Sequence, residues 1–396
     1  MGTSYVVENA TNKTFFTFFS EFNKAWTESY ILVNVILGFL FLMSLGGNIL
    51  VIYFFICFKA IRQVTNLFIT NLAVSNLIFS IMVPLVMTTR VTEEWVLGEA
   101  LCHLMTSIEF FSGMVCAWTM VLISADRYRA IIKHQGRRST INGTLVRLAL
   151  VWIGALLFTS PLAVFFRTIE ATIEDGSKSV LRRVTVCSVD FPGPNYILVI
   201  YSCINILVVF IIPLTIITKN YRAIMKEFSS SLQRMRDHME SAPRSRNSSV
   251  RVAANVQKEA HVLRMLIAMV ALFVLMWGPV TVFIVAMTAD NMHTNIIQSY
   301  QLMTVFIITY ANAALNPVVY GVLNEQYRNH FRQLFNKIRC KACGTAATEN
   351  ASTGGRNSIR QVIRTLSGRE VDNTRHMNGD GCCENVMDNI CEETPS

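Results

Sequence analysis

Seven separate runs of apolar residues, each long enough to cross a bilayer, constrain this chain more than any other feature. A helix needs roughly 20 apolar residues to traverse the hydrocarbon layer. Such runs fall at about Tyr30–Phe58, Asn66–Thr89, Leu104–Ala125, Leu145–Phe166, Tyr196–Thr218, Val262–Met287 and Ile297–Leu323. In lipid a backbone has to satisfy its own hydrogen bonds, and over this length a helix does so within one segment. The expectation is therefore an all-α membrane protein, a seven-transmembrane helix bundle over residues 30–323. Composition agrees: of 396 residues 52% are hydrophobic and 15% charged, less charge than a soluble chain carries.

The charged residues give a direction. Lys59 and Arg62 follow the first span, and Arg127, Arg129, Lys133, Arg137 and Arg138 follow the third. Lys and Arg recur from Lys219 to Lys258 after the fifth, and Arg328, Arg332, Lys337 and Arg339 open the tail. Beyond Arg90 the loop after the second span carries Glu93, Glu94 and Glu99 but neither Lys nor Arg, and the loop after the sixth has none. The positive-inside rule then places residues 1–29 outside and the tail in the cytoplasm, as in a plasma-membrane protein. The net charge of +9 is explained by this placement, and no nucleic-acid surface is expected. No basic stretch followed by an apolar core opens the chain, so the first span is expected to act as its own insertion signal.

Topology sorts the modifiable residues. Asn9 and Asn12 sit in N-x-T sequons on the outer side and are expected to carry glycans. Cys102 and Cys187 also fall outside, where disulfides persist, and are expected to be joined. Cys340 and Cys343 form the one C-x-x-C, with no second pair at zinc-site spacing, so neither a metal nor a cofactor is expected. Residues 324–340 mix basic residues with Tyr327, Phe331, Leu334, Phe335 and Ile338 at helical spacing, the pattern of a short amphipathic helix on the membrane surface. Cys340 and Cys343 are then candidates for palmitoylation. Residues 341–396 read as a disordered cytoplasmic tail, with Ser352, Ser358 and Thr365 among its candidate phosphosites.

Short motifs recur in the spans. Gly47-Asn48 lies in the first, Asn71-Leu72-Ala73-Val74-Ser75-Asn76 in the second, and Asp126-Arg127-Tyr128 ends the third. Trp152 lies in the fourth, Pro213 and then Tyr221 in the fifth, and Phe273 with Met276-Trp277-Gly278-Pro279 in the sixth. Asn312 and Asn316-Pro317-Val318-Val319-Tyr320 lie in the seventh. Taken in order, these resemble the rhodopsin-like (class A) G-protein-coupled receptors over roughly residues 30–340. The resemblance implies a receptor with a heterotrimeric G protein, receptor kinases and arrestin as partners. It implies a resting-state pair between Arg127 and either Asp126 or Glu259, and a switch that also uses Tyr128, Tyr221, Phe273, Pro279, Asn316, Pro317 and Tyr320. Prolines in the spans remove a helix hydrogen bond and allow hinges. Asn76 stands where the family usually has Asp, which removes the acid of a sodium site.

Two charges near the outer ends bear on the ligand. Arg90 ends the second span and Glu109 lies two turns into the third. A buried cation suggests an acidic ligand, a buried anion suggests a cationic one, and each can instead neutralise the other. Segments such as Arg90-Val91-Thr92-Glu93-Glu94-Trp95-Val96-Leu97-Gly98 and Ala311-Asn312-Ala313-Ala314-Leu315-Asn316-Pro317 resemble the long-chain free fatty acid receptors (the free fatty acid receptor 4 type). That resemblance implies a small lipid-like ligand whose carboxylate meets Arg90. Its acyl chain would pass Phe110, Gly113, Phe191, Tyr201, Asn205, Trp277, Val280, Ile284 and Leu302. The alternative is a receptor for a biogenic amine, or another small cationic or peptide ligand, held by Glu109 with Tyr310 facing it. An enzyme is not expected, because His103 and His261 are isolated and no nucleophile–base spacing appears. A light receptor is not expected either, because no lysine lies between Ile297 and Leu323.

Overall fold

The computed structural model describes residues 6–8, 14–16, 27–58, 63–132, 140–175, 180–190, 196–241, 246–289, 299–324, 327–334 and 336. The chain divides into two compact units, Met1–Asn324 and Glu325–Ser396. In the second, residues 327–334 are helical, inside the range expected for the amphipathic helix.

The first unit holds seven helical spans long and apolar enough to cross a membrane. In chain order the helices are α1 (Thr27–Cys57), α2 (Val64–Ser80), α3 (Val83–Thr92), α4 (Glu99–Ile131), α5 (Ile141–Phe165), α6 (Tyr196–Ile206), α7 (Ile212–Ser241), α8 (Arg246–Ala289) and α9 (Ser299–Leu323). Span two is divided into α2 and α3, with Pro84 in the first turn of α3, where a missing N–H costs no helix bond. Span five is divided into α6 and α7 by a π turn at Leu207–Ile211.

The outer face of the bundle is apolar, and its interior sets polar residues within an apolar core. The α4 span is the most central, 61% of its apolar window being buried against 22% for spans one, four and five. Leu32, Val35, Phe39 and Leu42 of α1 and Leu150, Leu156 and Leu157 of α5 point outward, as a lipid-facing surface requires. Inside, Asn48 donates to Ala313 O (3.0 Å) and Asn76 donates to Asn48 Oδ1 (3.3 Å), tying spans one, two and seven. Asn71 donates to Thr119 Oγ1 (2.9 Å) and accepts from Trp152 Nε1 (2.8 Å), tying spans two, three and four. Spans one and seven approach so closely at Gly47 that a Cβ there would lie 2.7 Å from Pro317 Cβ.

At one end the N-terminal segment and the α5–α6 connection form a sheet. The strands β1 (Val6–Glu8), β2 (Thr14–Phe16), β3 (Phe166–Asp175) and β4 (Val180–Val189) are ordered β2-β1-β3-β4. The long β3–β4 hairpin runs from Phe166↔Val189 to Asp175↔Val180. Three links hold it to the bundle. Cys102 and Cys187 form the expected disulfide, with Cα atoms 5.6 Å apart. Trp95 N–H donates to Thr185 O (2.7 Å), and Asp190 N–H donates to Phe165 O at the end of α5 (2.8 Å).

Candidate functional site

Below the sheet lies a cavity of about 980 Å³, counting its open mouth. It is lined by Phe79 of α2, by Thr106, Glu109 and Phe110 of α4, and by Asn205, Ile206, Val209 and Phe210 of span five. Phe273, Trp277, Val280, Thr281, Phe283 and Ile284 of α8 and Val305, Phe306, Thr309 and Tyr310 of α9 complete it. The α4 residues share one helix face, spaced by three and four.

Glu109 is the only charged side chain in this lining among the described residues. Its carboxylate accepts a hydrogen bond from the Tyr310 hydroxyl. No ion pair reaches it among the described residues, so the partner of this carboxyl group is a phenol rather than Arg90. Aromatic rings extend from that pair. Tyr310 packs on Phe79 (ring centroids 5.0 Å apart), Phe79 on Trp277 (5.7 Å), Trp277 on Phe273 (6.1 Å) and Phe273 on Phe210 (6.0 Å). Thr106 Oγ1 and Trp277 Nε1 are buried without a hydrogen-bond partner among the described residues, so polar atoms are left for a ligand.

The residues expected from sequence divide as follows. Glu109, Phe110, Asn205, Trp277, Val280 and Ile284 line the cavity together. Gly113 lies beneath Trp277, where a Cβ would meet Trp277 Cη2 at 2.5 Å. Tyr201 is not in the lining; its hydroxyl donates to Phe158 O (3.3 Å) and its ring stacks on Phe158. Arg90 is 2% exposed in the last turn of α3 and is also outside the lining. Phe191 and the Leu302 side chain lie outside the described residues, as do Asn9, Asn12, Cys340, Cys343 and the Glu259 side chain. Sequence reasoning did not assign Thr106 or Phe210. Thr106 was recoverable from the helix face it shares with Glu109. Phe210 was not, because the π turn shifts the phase of span five.

At the other end of the bundle, Arg127 donates to Asp126 Oδ2 (2.7 Å) and to Thr65 Oγ1 (3.0 Å). Asp126, Tyr221 and Tyr320 are buried, and Tyr128 is half-buried. Between the two ends, both amide atoms of the buried Asn316 lack a hydrogen-bond partner among the described residues. Pro279 and Pro317 lie within α8 and α9.

Comparison with known proteins adds the family. The model for "7 transmembrane receptor (rhodopsin family)" matches residues 47–320. Neuropeptide Y receptor type 2 of Macaca mulatta is 30% identical over 318 residues, covering 78% of this chain and 77% of the relative. The Homo sapiens receptor of that name is 30% identical over 317 residues with the same coverage, and Rhodopsin of Camponotus atriceps is 28% identical over 345 residues, 85% of each. None of these relatives is a fatty acid receptor, so they support the broader of the two resemblances and not the finer one.

Proposed function

The chain belongs to the rhodopsin family of seven-transmembrane receptors, and from that premise we propose that its ligand is cationic, a peptide before an amine, and is held by Glu109. It is a multi-pass membrane receptor and not an enzyme. One observation carries the ligand reading: the single ionisable acid of the cavity lining is Glu109, and Arg90 lies outside that lining. A carboxylate in a bundle interior is costly without a countercharge. Here the protein supplies a hydroxyl, so the ligand is left to supply the cation. The aromatic walls suit the same chemistry, since ring faces attract ammonium and guanidinium groups. The peptide class is supported by the neuropeptide Y receptors among the relatives. The fatty acid reading requires Arg90 to reach the cavity. A light-sensing role requires a lysine in α9, which Ser299–Leu323 lacks.

The signal leaves through the Arg127 end. A ligand pressing on Trp277 moves Phe273 and α8, Arg127 exchanges its Asp126 and Thr65 contacts, and a groove opens for a G-protein helix. The basic loops support a cytoplasmic position for that end. Receptor kinases and arrestin would act on the tail.

A calcium-release assay with a chimeric G protein tests this, using panels of cationic peptides, amines and long-chain fatty acids. The expected result is a peptide response abolished in Glu109→Gln and kept in Arg90→Ala at matched surface expression. A fatty acid response lost in Arg90→Ala and intact in Glu109→Gln would overturn the proposal.

A further inference from the structure

The span-five wall of the cavity departs from α-helical geometry. Leu207–Ile211 form a π turn in which Ile212 N–H reaches back to Leu207 O. Asn205, Ile206, Val209 and Phe210 line the cavity from this stretch. The sequence supplies the cause in Pro213, which has no N–H. In an α register that absence strands the carbonyl four residues back, on Val209. In the π register it strands the one five residues back, on Val208. A stranded carbonyl in a membrane interior is strongly unfavourable. In the structure Val208 O has a donor from another helix: Trp118 Nε1–H of α4, at 3.2 Å. That bond matches the π register and would be redundant in the α register, where Ile212 N–H serves Val208 O. Trp118 is not itself in the cavity lining; it packs beside Val209 and Met114.

We propose that Trp118 is a positioning residue for the ligand cavity: by donating to Val208 O it selects the π register of span five and thereby decides which span-five side chains meet the ligand. A π turn contains one residue more than the α turn it replaces. Removing that residue with α7 held fixed rotates α6 by about 100°. Residues 206 and 207 then take the places of 205 and 206. Asn205 leaves the cavity, and Leu207, now 49% exposed on the outer surface, enters it. The wall exchanges an amide for an isobutyl group, which changes the ligands it accepts without any substitution in span five.

The test reads the register directly and does not require the ligand or depend on Glu109. Asn205→Cys, Ile206→Cys and Leu207→Cys are made singly in the full chain with Cys203→Ser. Each is purified in lipid nanodiscs and probed with a water-soluble cationic methanethiosulfonate. With Trp118 present, positions 205 and 206 label and 207 does not. In Trp118→Phe, which keeps a ring but loses the N–H, labelling at 205 falls severalfold, 207 gains it and 206 is unchanged. An unaltered pattern overturns the proposal, and so does a parallel rise or fall at all three positions, which would report general loosening. If the phenylalanine variant does not fold, 3-benzothienylalanine at position 118 removes only the N–H from the same shape, with the same expected and contrary results.

Discussion

Alanine at Gly113 tests whether the packing of Trp277 holds the receptor at rest. A Cβ there would lie 2.5, 2.9 and 3.0 Å from Cη2, Cζ3 and Cζ2 of Trp277. Non-bonded carbons settle at about 3.5–4.0 Å, so the indole has to retreat by about 1 Å. Phe79 and Phe273 flank the ring, with centroids 5.7 and 6.1 Å away, and the cavity leaves one open side. Forcing a methyl into a packed core costs about 1–3 kcal/mol. If the resting state bears that cost and the signalling state, with Trp277 displaced, does not, the equilibrium shifts by about 5- to 150-fold. Ligand-free GTP-analogue uptake by added G protein should rise correspondingly, with a lower Tm for the receptor in nanodiscs. Adding Trp277→Phe removes the three colliding carbons and should return both readings toward the parent. A Gly113→Ala receptor with parental uptake and parental Tm would refute the reasoning. So would a defect that Trp277→Phe leaves untouched, since the two sites would then be uncoupled.

Two further outcomes follow from close approaches and chain connectivity. Gly47→Ala places a Cβ 2.7 and 2.8 Å from Cβ and Cγ of Pro317, a rigid ring, and should lower Tm through an overpacking cost of about 1–3 kcal/mol; an unchanged thermal unfolding curve would contradict it. Cys102→Ser opens a loop spanning 85 residues, worth about 4–5 kcal/mol on chain-entropy grounds, and should cut surface display measured by flow cytometry. Parental surface levels would show that the sheet contacts hold the hairpin without the bond.

Legibility from sequence differed by kind of feature. The seven spans and the Cys102–Cys187 bond were readable because length, hydropathy and sidedness are local properties of the chain. The four-stranded sheet was not. Ile169, Ala171 and Ile173 alternate with Glu170, Thr172 and Glu174 and pack with Val184 and Val186, a strand pattern that went unread beside the longer apolar runs, while the contacts that fix the hairpin to the bundle, the disulfide and the Trp95 bond, are long-range. Within the site, Glu109, Phe110 and Trp277 were found because each stands out within a regular helix. Thr106 is an ordinary polar residue and drew no notice. The fatty acid resemblance rested on short segments that carry local packing, and it gave Arg90 a role that its burial outside the cavity does not support.

The sequence by itself determined that this chain crosses a membrane seven times as helices, because lipid admits few ways to satisfy a backbone over such runs. It also determined where the helices weaken, since a proline lacks its N–H in any fold. Tertiary structure decided what the polar residues in those helices do. Arg90 and Glu109 look equivalent as charges near the outer ends of their spans, yet packing buries one outside the cavity and leaves the other facing it beside Tyr310. Pro213 requires one carbonyl to be stranded, but which one, and so which face of span five meets the ligand, depends on an indole 95 residues earlier in the chain. Charge and hydrogen-bonding capacity are properties of a residue; whether they are spent within the protein or offered to a ligand depends on which helix lies next to it.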